Sequence, residues 1–239
     1  MIEPLNLDAS ETFTFDPYLV LQGEGKYQGL TTTLIRFGLC NYRCNFCDSA
    51  YNWDATLKFT INDLLKFVDY NIMFTGGEPL LNDYRQQFIY SVIYHLEKEK
   101  NIKDNIIEIE TNGSNYAKDY LIEKVTSFNI SPKEERYQLD NYKTKYKLLE
   151  QLPDLGDKYI VKFVYDTTEE NKRFILDTVE KYKIPISKVY IMPKGETPHE
   201  ILSIIDNAIK FTMQHKFLFT PRIHILLYKQ TVKDWPKND

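Results

Sequence analysis

Short β-rich runs alternate with amphipathic helical stretches along this chain, and that alternation confines it to an α/β fold with a mainly parallel sheet. Strands are expected at Thr32 to Phe37, Asn71 to Thr75, Asn105 to Glu110, Ser127 to Ser131, Tyr159 to Tyr165, Lys188 to Met192 and Phe217 to Thr220. Ile72-Met73-Phe74 and Ile160-Val161-Lys162-Phe163-Val164 are nearly continuous apolar runs, as expected where helices cover a sheet. Leu81, Tyr84, Phe88, Val92 and Leu96 recur at helical spacing, as do Phe174, Ile175, Thr178, Val179 and Tyr182. Thr197-Pro198-His199-Glu200 reads as an N-cap, a proline at the first helical position and a capping-box glutamate. Ile201, Leu202, Ile204, Ile205, Ala208 and Ile209 then supply the expected buried stripe. In such folds chemistry lies at the carboxyl ends of the strands, and every motif below is expected at one of those ends.

No repeat, low-complexity tract or Pro/Gly/Ser linker divides the 239 residues, so one domain spanning 1–239 is expected. Within it, 134–158 reads as a charged, tyrosine-rich surface insertion with a helical piece near Tyr146 to Gln151. Residues 229–239 read as a polar, loosely attached tail. No apolar run approaches the ~20 residues of a membrane span, and Met1-Ile2-Glu3-Pro4 does not resemble a signal peptide. A cytoplasmic protein is expected. A net charge of −4 argues against a general nucleic-acid binder, whose phosphate contacts need a basic face. Neither nucleic acid nor membrane is an expected partner.

All three cysteines fall in one loop after a strand, Cys40-Asn-Tyr-Arg-Cys44-Asn-Phe-Cys47. Scattered at random they would cluster so tightly roughly three times in a thousand, so the cluster wants a cause. An odd number in a reducing compartment argues against disulfides. A structural zinc site normally has four protein ligands, and the nearest histidine, His95, lies in an expected helix. Iron–sulfur clusters are usually held by four cysteines. Three would leave one iron of a [4Fe-4S] cluster with open coordination positions, which suits substrate chemistry. Zinc with a recruited His or Asp stays open as the plainer reading.

A second motif, Thr75-Gly76-Gly77-Glu78-Pro79, closes the next strand. Its glycines let the backbone turn sharply beside a ligand, and its carbonyls and carboxylate can receive an ammonium group. A plain strand–helix turn is the alternative.

Cys-x3-Cys-x-aromatic-Cys, with Phe46 as the aromatic, resembles the defining motif of radical S-adenosylmethionine enzymes, and Gly76 to Pro79 resembles their GGEP. The resemblance implies a partial (β/α) barrel and a cofactor whose methionyl amine and carboxylate chelate the unique iron. One electron would cleave the sulfonium to a 5′-deoxyadenosyl radical that abstracts hydrogen. More specific strings are similar to the 7-carboxy-7-deazaguanine synthase family: Leu21-Gln22-Gly23-Glu24-Gly25, Asp48-Ser49 where the family more often has Asp-Thr, and Glu110-Thr111-Asn112-Gly113. Ser131-Pro132-Lys133, Met192-Pro193-Lys194-Gly195 and Pro221-Arg222-Ile223-His224 continue the match, which runs from about Gln22 to Leu227. The chain departs from the family in the stretch 134–158 and in continuing past Tyr228.

This resemblance implies ring contraction of 6-carboxy-5,6,7,8-tetrahydropterin to 7-carboxy-7-deazaguanine with loss of ammonia, in 7-deazapurine (queuosine-type) biosynthesis. It implies Cys40, Cys44 and Cys47 on a [4Fe-4S] cluster and Ser49 on Mg²⁺, which keeps several waters and takes oxygen from substrate. It places Phe46, Cys47, Asp48, Gly77, Glu78, Ser131, Pro132, Lys133, Met192, Pro193, Lys194 and Gly195 around S-adenosylmethionine. It places Leu21, Gln22, Gly23, Glu24, Arg36, Thr75, Glu110 and His224 around the pterin. Arg36, a planar fork, suits the pterin carboxylate. His95, His199 and His215 read as structural. An electron donor such as flavodoxin or ferredoxin and a homodimer are implied by the resemblance alone. The alternatives are an activase of a glycyl-radical enzyme, which shares the cysteine spacing and the GGEP turn, and a non-catalytic iron–sulfur or zinc protein.

Overall fold

The structure, a computed structural model, describes residues 2–5, 13–50, 58–59, 61–66, 68, 71–100, 102, 104–139 and 143–228. In chain order the strands are β1 (Phe13–Leu21), β2 (Thr31–Phe37), β3 (Lys58–Phe59), β4 (Asn71–Gly76), β5 (Ile107–Thr111), β6 (Ser127–Ile130), β7 (Tyr159–Tyr165), β8 (Val189–Pro193) and β9 (Leu218–Phe219). The helices are α1 (Ile61–Leu65), α2 (Asp83–Glu99), α3 (Asp119–Lys124), α4 (Lys147–Glu150), α5 (Leu152–Leu155), α6 (Glu169–Lys181), α7 (Pro198–His215) and α8 (Ile223–Tyr228). One sheet runs in the order β3-β1-β2-β4-β5-β6-β7-β8-β9, parallel from β2 to β9. The expected α/β fold is present, with each of the seven expected strands in place. β1 and β3 were not expected, and both pair antiparallel at one edge.

Pleating assigns the faces, because successive side chains of a strand point to opposite sides. Ile35 and Phe37, Ile72 and Phe74, Ile107 and Ile109, and Val161 and Phe163 enter the main core. Phe88, Val92 and Leu96 of α2 and Ile175 of α6 join them there. Each fully buried side chain of this size contributes roughly 1.5–3 kcal/mol. Leu34 and Arg36, Met73 and Thr75, and Lys162 and Val164 lie at the alternate positions and line a cleft on the other face.

Two helical stripes are narrower than their spacing suggests. Tyr84 is 42% exposed, and Leu202 and Ile209 of α7 are 58% and 37% exposed. A helix presents only a stripe about 100° wide to its support, and in α7 Ile201, Ala208 and Phe211 occupy it. The capping box at Thr197 and Glu200 forms as expected.

The stretch 134–158 is not a surface insertion. Leu148, Leu149, Leu152 and Leu155 pack into the main core, and Glu134 and Gln138 are buried. Residues 140–142 and the expected tail 229–239 lie outside the described residues. At the far side of the cleft the chain after β1 is sewn to the chain after β9. Gly25 N donates to Thr220 Oγ1 (2.8 Å), Ile223 N to the Gly23 carbonyl (2.9 Å) and Gln28 Nε2 to the Pro221 carbonyl (3.0 Å). Among the described residues no helix is long and apolar enough to cross a membrane.

Candidate active site

A cleft of about 720 Å³ opens on the sheet face opposite the main core, within the ~300–1,000 Å³ range of small-molecule sites. The loop after β2 brings Cys40, Cys44 and Cys47 to its wall. All three are free thiols, and burial raises each pKa, to about 12 for Cys40 and about 11 for Cys47. Thiols held neutral in this way become thiolates when a metal displaces the proton. No three of the described His, Cys, Asp or Glu side chains converge on a point that one ion could occupy. A [4Fe-4S] cluster would take one thiolate on each of three irons. This donor set, three cleft-facing sulfurs of one loop, fits the cluster.

The Gly76-Gly77 turn holds that loop from the side. Gly76 has φ +101°, and a Cβ on Gly77 would stand 1.8 Å from the Leu39 carbonyl oxygen, so only glycine permits this approach. Gly77 N donates to the Phe37 carbonyl (2.7 Å) and Glu78 N to the Leu39 carbonyl (3.0 Å). Glu78 departs from the ammonium-receiving role expected of it. Its carboxylate is fully buried and accepts from Leu80 N (2.8 Å), Thr111 Oγ1 (2.6 Å) and Asn112 N (2.8 Å). It is a bracket joining the ends of β4 and β5.

The other residues expected around the cofactor mostly share this cleft. Phe46, Asp48, Gly77, Ser131 and Lys133 line it, as do Met192, Pro193, Lys194 and Gly195. Glu78 and Pro132 do not. Lys133 Nζ donates to Ser131 Oγ (2.8 Å), and Lys194 Nζ lies 5.1 Å from the centre of the Phe46 ring. Ser49 Oγ donates to Asp48 Oδ1 (2.9 Å).

The expected substrate set lines the same cleft, apart from Leu21. β2 and β4 align Arg36 beside Thr75, and Thr75 Oγ1 donates to Glu110 Oε2 (2.9 Å). Gln22, Gly23 and Glu24 arrive differently from expectation. β1 runs antiparallel, so Leu21 pairs with Thr31 and the segment enters beside the amino end of β2. The Gln22 amide is occupied by Glu108 Oε2 (2.7 Å) and the Glu24 carbonyl (3.2 Å), which makes it a support for Glu24. A Cβ on Gly23 would stand 1.7 Å from His224 Nδ1, so glycine here lets His224 reach the cleft.

Two cations that the sequence reading did not assign organise the charges. Lys162, buried in β7, bonds both Glu24 and Glu110. Arg222 bonds Asp48, donates to the Gly195 carbonyl (2.7 Å) and lies 3.5 Å from Glu24. Burial alone would raise Glu24, but Lys162, Arg222 and His224 outweigh it and hold the carboxyl well below its usual range. Burial likewise opposes charge on Lys162, yet Glu110 and Glu24 raise its pKa. Burial lowers His224, and Arg222 lowers it further against the pull of Glu24, so the ring is neutral near pH 7. The signal for Lys162 was present in the sequence, as a lysine inside an apolar strand run.

Glu108 titrates in the opposite sense. Burial, with Glu110 nearby, pushes it from 4.5 to about 8 against the Gln22 hydrogen bond. Between those values the folded chain holds a proton that the unfolded chain has released, so stability falls as pH rises through the window. Glu108→Gln is expected to remove this slope, a gain on the order of a few kcal/mol at pH 8.5 relative to pH 5. Urea midpoints at both pH values check this, and a gain that is the same at both would place the titration elsewhere.

No protein-family model matches the chain. It is 30% identical over 204 residues to the 7-carboxy-7-deazaguanine synthase of Rhodopirellula baltica, covering 78% of this chain and 72% of that one. It is 27% identical over 220 residues to the synthase of the same name from Hyperthermus butylicus, covering 87% and 88%. The match to that of Clostridium acetobutylicum is 27% over 224 residues, covering 86% and 95%. Among solved structures, QueE from Escherichia coli shares the fold with a TM-score of 0.63 at 16% identity, covering 88% of this chain and 92% of that one.

Proposed function

Because the chain belongs to the 7-carboxy-7-deazaguanine synthase family, we propose that it converts 6-carboxy-5,6,7,8-tetrahydropterin to 7-carboxy-7-deazaguanine with loss of ammonia. The observation that carries this reading is one cleft holding both the three-cysteine loop and a set of charges suited to a pterin. Cys40, Cys44 and Cys47 would hold a [4Fe-4S] cluster, with S-adenosylmethionine along Phe46, Ser131, Lys133 and the Met192–Gly195 segment. Bound there, cluster and cofactor supply the radical that removes a hydrogen atom from C6 of the pterin.

The chain's own residues do the rest by placement. Glu24 and Glu110, both bonded to Lys162, offer carboxylate oxygens to the N–H groups of the pyrimidine edge. Arg36 offers a paired donor to the carboxylate, and neutral His224 can donate at one ring nitrogen. Asp48 is held by Arg222, which leaves the Ser49 hydroxyl beside it as the oxygen ligand for Mg²⁺. Main-core side chains behind the strands keep the cleft floor rigid. In this reading one domain carries the whole site, a separate redox protein delivers the electron, and the enzyme works as a homodimer in 7-deazapurine synthesis.

The test is anaerobic incubation of the iron- and sulfide-reconstituted protein with dithionite, S-adenosylmethionine, Mg²⁺ and the pterin, with mass analysis of products. The pterin is expected to give 7-carboxy-7-deazaguanine, lighter than the substrate by one ammonia. Because that conversion is redox-neutral, the hydrogen taken from C6 returns to the product side, and 5′-deoxyadenosine formed without pterin reports cofactor cleavage alone. A protein that binds zinc and no iron, or cleaves the cofactor and leaves the pterin intact, overturns the reading.

A further inference from the structure

The stretch after β6 returns to the cysteine loop and pairs with it. Asn45 N donates to the Tyr137 carbonyl (2.9 Å) and Leu139 N to the Arg43 carbonyl (2.8 Å), forming an antiparallel bridge between Cys44 and Gln138. The Tyr137 ring meets Phe46 edge-on at 4.8 Å. Between these contacts Gln138 is buried, 8% exposed, and its amide is used at both ends. Oε1 accepts from Arg43 N (3.2 Å), and Nε2 donates to Cys44 Sγ (3.0 Å). Cys40 Sγ receives longer contacts, from Tyr42 N (3.4 Å) and Asn112 Nδ2 (3.7 Å).

We propose that Gln138 is a positioning residue for the iron–sulfur centre: one end of its amide fixes the loop, and the other donates to the Cys44 sulfur and raises the cluster's reduction potential. The proposal rests on the cluster reading above. Reduction adds one electron to the cluster and concentrates negative charge on the sulfurs. A fixed N–H donor therefore stabilises the reduced form more than the oxidised one. The effect is strong here because the sulfur is buried and poorly screened by water.

The test uses the full chain, reconstituted anaerobically with iron and sulfide and titrated with dithionite while the reduced cluster is followed by electron paramagnetic resonance. Gln138→Met keeps the side-chain length and removes the donor. Its cluster is expected to load iron as wild type does and to reduce at a more negative potential. Tyr42→Phe is the control. It removes the phenol contacts to Lys145 O (2.9 Å) and Lys145 N (2.5 Å) that also tie this stretch to the loop, while the Tyr42 N–H that donates to Cys40 Sγ is kept. Its potential is expected to equal that of wild type. If Gln138→Met loads poorly, Gln138→Leu decides, because it likewise removes the donor to sulfur and adds no charge beside the cluster. A wild-type potential in the loaded Gln138 variant, or an equal shift in Tyr42→Phe, overturns the proposal. A wild-type protein that forms no cluster overturns the underlying reading instead.

Discussion

Lys162→Met is expected to cost about 3–5 kcal/mol of stability at pH 7.5, and most of that loss is expected to disappear near pH 5. The lysine is 2% exposed in its side chain and bridges Glu24 and Glu110, so methionine leaves two carboxylates facing a cation that is gone. Arg222 at 3.5 Å from Glu24 compensates only in part. The sign of the pH dependence follows from both chains. In wild type, Glu24 lies below its ordinary 4.5, so its contribution is present above that pH and lost as pH falls through its folded value. In the variant, burial of Glu24 is opposed by Arg222 and His224 without the lysine, so its pKa is expected to rise. Stability then falls as pH rises, and the gap between the two proteins widens from pH 5 to pH 7.5. Lys162 itself is raised above 10.5, so its own titration lies outside this window. Urea midpoints at unchanged slope measure the gap. A loss under about 1 kcal/mol, or a gap independent of pH, would show that the triad is not a coupled unit.

Arg36→Ala is expected to weaken pterin binding by roughly ten- to a hundred-fold, with Arg36→Lys between the two. Arg36 is 7% exposed, lines the cleft and stands in register with Thr75. Hydrogen bonds to charged groups contribute roughly 1.5–3 kcal/mol, and lysine keeps the charge while losing the paired geometry. Pterin dissociation constants by calorimetry give the ordering. Cofactor cleavage in the absence of pterin is expected to be little changed. An alanine variant that binds the pterin normally but loses its iron would make Arg36 a structural residue.

The features legible in the sequence are those whose partners are close along the chain. The capping box at Thr197 and Glu200, the cysteine loop and the glycine turn each span a few residues, and each forms where it was expected. The strand–helix alternation is legible for the same reason, because each element's period is set by its own backbone. β1 was not legible. Phe13-Thr14-Phe15-Asp16 alternates, but Pro17 breaks the run and demotes it from a strand reading, and its pairing with β2 is decided by the partner strand.

What only the tertiary structure decided is which charges meet. Lys162 lies 138 residues from Glu24 and 52 from Glu110, and Arg222 lies 174 residues from Asp48. Within the run Ile160 to Val164 the lysine reads as an interruption of a buried strand. Pleating instead puts it on the cleft face while Val161 and Phe163 take the core. Glu78 shows the converse, a motif residue whose chemistry suggested a ligand contact but whose carboxylate is consumed by Thr111 and Asn112. Gln138 likewise lies in a stretch that reads as surface, 94 residues from the Cys44 sulfur it bonds. Local sequence sets the period of each element, whereas strand register and sheet order set which faces oppose one another. Long-range ion pairs and buried hydrogen bonds depend on the second, and so they exist only once the sheet has formed.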